Sequence, residues 1–122
     1  MTTEKFSITK RLKSFGHAFN GLKTAFKGEH NLRIHLVAVI LVVILGIYFK
    51  IEIVEWTILT LTIGFVIAME LLNSSIENLA DYACKEQHPM IKKVKDIAAG
   101  AVLVSAISAL IVGLLVFIPK LI

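Results

Sequence analysis

At 122 residues the chain is one domain at most, and with 57% hydrophobic residues it is too apolar for a soluble fold, which must cover its core with polar surface. The net charge of +4 is modest, and with no basic stripe or aromatic-basic interleaving it points away from nucleic acid and towards lipid headgroups. The single cysteine, Cys84, excludes an internal disulfide and reads as an inert thiol, because the sequence positions no histidine to activate it.

The first predicted element, residues 1–31, is an amphipathic helix. Phe6, Ile8, Leu12, Phe15, Phe19, Leu22 and Phe26 recur at steps of three or four after a first step of two, with Lys10, Lys13, Asn20, Lys23 and Lys27 between them. That pattern suits a helix lying on an anionic leaflet, with Gly16 and Gly21 as candidate kinks. The first predicted span, residues 32–49, contains the uncharged run LVAVILVVILGIYF. No small-residue cleavage pattern follows it, so it is expected to stay in the protein rather than leave as a signal peptide. A short connection leads to the second span, residues 53–81, in which no proline or glycine breaks the run after Glu70. At 1.5 Å per residue that helix would be about 44 Å long, more than the hydrocarbon core, so its last turns should emerge from it. The polar stretch YACKEQHPMIKKV then turns the chain at Pro89. The third span falls within residues 90–118, is rich in small residues that permit close helix approach, and is expected to end at Pro119. The expected architecture is thus all-α: a single membrane domain, 1–122, of one surface helix and three transmembrane helices.

Lysine and arginine set the expected orientation. Lys5, Lys10, Arg11, Lys13, Lys23, Lys27 and Arg33 precede the uncharged core of the first span, and Lys85, Lys92, Lys93 and Lys95 lie between the second and third. Only Lys50 and Lys120 fall on the other side, which places the N-terminus and the second loop in the cytoplasm, in a multi-pass protein of the cytoplasmic membrane.

Glu70, Asn73, Glu77 and Asp81 are spaced by three, four and four, which makes one polar stripe on the second span, with Ser74 beside it. Ionisable groups at membrane depth are costly and face a protein interior or a wet cavity. Like charges along one helix repel, and a divalent cation is the simplest compensation. Glu29, the Glu86-Gln87-His88 loop and Lys95-Asp96 reach the same level of the bilayer. Acids for a metal and a lysine for phosphate suit phosphoryl transfer at the membrane surface. On spacing alone a transport path remains equally open, as a small oligomeric transporter or channel whose stripe binds cations. Asn73-Ser74-Ser75 is formally a glycosylation sequon, but it faces the cytoplasm. His17, His30 and His35 read as interfacial or packing residues. No Walker-type or protein-kinase signature is present.

The run from Glu70-Leu-Leu-Asn73 through Ile76-Glu77 to Asp81, the segment Lys95-Asp96-Ile-Ala-Ala-Gly100-Ala-Val-Leu, and Phe19-Asn-Gly-Leu-Lys upstream of Glu29 together resemble the bacterial diacylglycerol kinase family. Phe19-Asn20 and the KDIAAGAV run look closer to its undecaprenol-kinase branch. The resemblance covers nearly the whole chain. It implies a homotrimer with composite active sites, using ATP and Mg2+ to phosphorylate a lipid hydroxyl. It implies that Glu70 is the general base and meets the lipid, that Asn73 orients the reacting groups, and that Glu29 and Glu77 hold the metal on the ATP phosphates. It further implies that Lys95 contacts phosphate, that Asp96 fixes the nucleotide with Lys10, His17, Glu86, Gln87 and His88 around it, and that Ala99 lies near the lipid. Lys10, His17 and Gln87 depart from the diacylglycerol-specific pattern, in which an arginine, a tyrosine and an aromatic residue stand there. Asp81 acquires no role.

Overall fold

The structure, a computed structural model, describes residues 5–122, so the first four residues of the expected surface helix lie outside the described residues. Among the described residues all regular structure is α-helical: α1 (Ile8–Gly28), α2 (His30–Tyr48), α3 (Ile53–Ala83) and α4 (Pro89–Leu121). The last three are long and apolar enough to cross a membrane.

Ser7 starts α1 by accepting a hydrogen bond from the backbone N–H of Lys10 at 3.4 Å, which satisfies one of the free donors of the first turn. The helix runs unbroken through Gly16 and Gly21. It stops at Glu29, whose extended backbone (φ −113°, ψ 115°) also starts α2. Arg33 secures that corner. Its Nε donates to the carbonyl of Phe26 at 2.9 Å and its Nη2 to that of Lys27 at 2.5 Å, occupying acceptors that the end of α1 leaves free.

At the far end of α2 the chain reverses in four residues. Lys50 takes the left-handed conformation (φ 51°), and Ile51, buried, returns its N–H to the carbonyl of Gly46 at 3.2 Å. Glu52 and Glu55 form a capping box that opens α3. Ile51, Leu59 and Val116 form the core here, with Val42, Phe49, Trp56, Val112 and Phe117 packed on it. Gly46 lets α2 approach, since a Cβ there would lie 2.6 Å from Cη2 of Trp56. Lys120 on α4 pairs with Glu55 at 3.2 Å. Pro119 does not end α4 as expected. It stands in the last turn, and the helix continues to Leu121.

These contacts fix the topology. Gly46 meets Trp56 while His35 meets Glu70, so α2 and α3 are antiparallel. Glu55 meets Lys120 while Asp81 meets Lys95, so α3 and α4 are antiparallel too. The α3–α4 interface is the most extensive in the chain and carries small or medium buried residues, Val66, Ala80, Ala98 and Ser105 among them. Ser105 satisfies its hydroxyl on the carbonyl of Val102 at 2.7 Å. Outward faces are apolar, as Ile40, Ile44, Leu61, Leu103, Leu110 and Leu115 show, so each long helix is hydrophobic nearly all round.

Candidate active site

The polar stripe on α3 falls at the end opposite the Ile51 core, and its burial is graded. Glu70 is only 4% exposed, Asn73 and Glu77 are half-buried, and Asp81 is exposed. Along the axis, Glu70 lies about 26 Å from Ile53 and Asp81 about 42 Å, against a hydrocarbon core of about 30 Å. On a helix crossing such a layer from Ile53, Glu70 would fall just inside the apolar region and Asp81 well beyond it.

The partner of Glu70 comes from α2. His35 Nε2 lies 2.8 Å from Glu70 Oε1. Spacing within one element could not reveal this pair, because its members belong to different helices. The sequence reading of His35 as a packing residue is replaced by a direct contact with the carboxylate. From this contact, six residues back along α2 to Glu29 and seven on along α3 to Glu77 are displacements of about 9 and 10 Å in the same direction. Glu29 and Glu77 are thereby placed at a similar level, above Glu70.

Asn73 Nδ2 donates to Glu77 Oε1 at 3.3 Å, which fixes one carboxylate oxygen and leaves the other free. Asn73 Oδ1 is buried with no hydrogen-bond partner. A buried carbonyl oxygen without a donor is costly, so a ligand supplying one would be held there. Among the described residues no three His, Cys, Asp or Glu side chains converge on one point. Glu77 beside Asn73, with Glu29 at a similar level, suits a cation shared with phosphate oxygens, which is how Mg2+ is usually held, rather than an all-protein cage.

Lys95, half-buried on α4, forms an ion pair with Asp81, so the stripe residue left without a role holds the phosphate-contacting candidate. Asp96 is bonded to Lys92 at 2.5 Å, one turn back on α4. These four residues, with Cys84, Lys85, Glu86, Gln87, His88, Pro89 and Ile91, line an open cavity of about 610 Å³. His88 Nδ1 accepts from the N–H of Met90 at 3.1 Å and so starts α4, while Cys84 Sγ donates to the carbonyl of Glu86. Lys10, His17, Glu29 and Ala99 do not line this cavity. Lys10 and His17 are exposed on α1, Glu29 is half-buried at the α1–α2 corner, and Ala99 is exposed on α4.

The arrangement offers a buried carboxyl on a helix long enough to span a membrane, two further carboxylates above it, and beyond them a cavity lined by three lysines and three carboxylates. Residues 16–117 match the family model of prokaryotic diacylglycerol kinase. The chain is 41% identical over 114 residues to an undecaprenol kinase of Bacillus subtilis, which covers 93% of each chain. It is 35% identical over 109 residues to a diacylglycerol kinase of Helicobacter pylori, covering 84% of this chain and 85% of that one. It is 30% identical over 111 residues to a diacylglycerol kinase of Escherichia coli, covering 91% of each. None of these matches supports the transport alternative.

Proposed function

Because the chain belongs to the prokaryotic diacylglycerol kinase family, and is a membrane lipid kinase with ATP as co-substrate, we propose that it transfers the γ-phosphoryl group of ATP to the hydroxyl of undecaprenol in preference to diacylglycerol. The higher identity to an undecaprenol kinase, over nearly its whole length, supports that order of lipids. The observation that carries the chemistry is Glu70, a carboxyl buried on a helix long and apolar enough to span a membrane.

Glu70 acts as general base. Its free oxygen takes the hydroxyl proton as the lipid oxygen attacks phosphorus. The bond to the bridging oxygen breaks and ADP leaves with that electron pair. Lys95 turns from Asp81 to the phosphates and balances the charge that spreads over them. Asn73 aligns Glu77 and offers Oδ1 to the reacting groups. Glu29 and Glu77 would hold Mg2+, which when bound neutralises phosphate oxygens. Asp96, Glu86, Gln87 and His88 surround the nucleotide in the open cavity, with Lys10 and His17 approaching from α1. Ala99, small and exposed on α4, leaves room for the lipid chain.

The single domain sits in the bacterial cytoplasmic membrane with its N-terminus and α3–α4 loop in the cytoplasm, in keeping with the lysine and arginine distribution. In this reading α1 lies on the leaflet, and its exposed Ile8, Leu12, Phe15 and Phe19, with Phe6 just before it, suit that position. Three copies assemble into a homotrimer with composite sites. The outward small residues Ala101 and Ser108 of α4 would permit close packing between protomers.

The test is phosphorylation of undecaprenol and diacylglycerol, offered separately in mixed micelles with labelled ATP and magnesium. Faster turnover of undecaprenol is expected. Product from neither lipid in a folded preparation would sink the proposal, and faster turnover of diacylglycerol would reverse the lipid assignment. Glu70→Gln should lose about 10²- to 10⁴-fold in kcat, the usual contribution of a general base.

A further inference from the structure

We propose that His35 is a positioning residue for the base, holding one oxygen of Glu70 so that the other is presented to the lipid hydroxyl. This rests on the reading of Glu70 as the base. The distance from Nε2 to Oε1 is 2.8 Å, within hydrogen-bonding range. A carboxylate only accepts, so Nε2 carries the hydrogen of this bond. Among the described residues no other side chain hydrogen-bonds Glu70. At 4% exposure the carboxyl has little access to water that could take the place of His35.

Three torsions separate a glutamate carboxyl from its backbone, and the last is broad. Burial restricts the first two, while the hydrogen bond from His35 fixes the third. Oε1 is then committed and Oε2 alone faces the reacting hydroxyl. Proton transfer depends on that alignment at the level of an ångström. In the transfer step the lipid O–H bond breaks and its proton goes to Oε2. The oxygen–phosphorus bond forms, and the bond from phosphorus to the bridging oxygen breaks towards ADP. His35 remains a donor to Oε1 throughout and takes no proton. Its position in the second turn of α2 also ties the base to the helix whose start carries Glu29.

The experiment measures kcat and both KM values in mixed micelles for His35→Leu, His35→Gln, Glu70→Gln and the double variant His35→Leu/Glu70→Gln. His35→Leu should lower kcat about 100-fold, the scale of a 1 Å misplacement, with KM for lipid and ATP little changed. His35→Gln, whose amide N–H reaches a similar point, should recover most of that loss. In the Glu70→Gln background His35→Leu should cost nothing further, because the histidine acts only through the carboxylate. If His35→Leu fails to fold by thermal melting in detergent, His35→Asn, with an amide one carbon shorter, takes its place and must show the same loss. Near-normal kcat in His35→Leu overturns the proposal. So does a His35→Gln variant as slow as His35→Leu, which would mean that the ring moves a proton. Equal loss in both Glu70 backgrounds also overturns it. Failure of the underlying reading is separate, since Glu70→Gln would then turn over normally by itself.

Discussion

Lys95 and Asp81 show what a single pair contributes. The pair is partly exposed, and ion pairs of that kind add little to stability because solvent screens them. Asp81→Asn should therefore leave the melting temperature in detergent nearly unchanged. Lys95→Ala should lower kcat about 10²- to 10³-fold, because in the proposed role it supplies a charge to the transferred phosphoryl group. Equal effects of the two changes on kcat would show that the pair acts as a unit. Glu77→Gln should raise the magnesium concentration needed for half-maximal turnover about 10-fold or more, with partial rescue at high magnesium. At this scale the sequence was informative where one helix carries the pattern. Glu70, Asn73, Glu77 and Asp81 are visible as a stripe because their spacing follows the helical period. His35 was not visible, since its meaning depends on the residue 35 positions away that α3 brings beside it. The partner of Asp81 was hidden for the same reason, its lysine lying on the next helix.

Between elements, two contacts decide how the helices sit. Gly46 is one. In Gly46→Ala the new Cβ would meet Trp56 and Ile51, and Trp56 cannot swing freely because it packs on the Ile51 core. Overpacking of this kind costs about 1–3 kcal/mol, so the melting temperature should fall, and Trp56→Phe in the same chain should restore part of it. Arg33 is the other. Arg33→Gln gives up the fork that holds the last carbonyls of α1, and faster amide exchange in residues 25–29 is expected with α2 unaffected. The helices themselves were legible from apolar runs and periodicity. Their boundaries were less so. Gly16 and Gly21 do not interrupt α1, because an isolated helical glycine weakens a helix without ending it. Pro119 lies within the last turn of α4, where only one hydrogen bond is forgone and the last carbonyls are unpaired in any case.

For the molecule as a whole, three apolar helices joined by short connections leave few ways to sit in a bilayer. Topology can be read by thiol labelling. In a Cys84→Ser background, Lys50→Cys should react with a membrane-impermeant maleimide on intact spheroplasts, while Cys84 in the parent chain should react only after permeabilisation. The reverse pattern would invert the orientation. The length of α3 has one more consequence. Its 31 residues extend about 46 Å, so the helix overhangs any ordinary hydrocarbon layer. With the Ile51 turn and its core at one boundary, as the proposed orientation has it, Glu70 lies at a fixed height above it. Bilayer thickness then acts as a ruler for the reaction. Through hydrophobic mismatch, lipids with long acyl chains would draw the carboxyl beneath the plane of the substrate hydroxyl, and short ones would lift it into water. Turnover measured in vesicles of graded chain length should pass through a maximum where the two heights coincide.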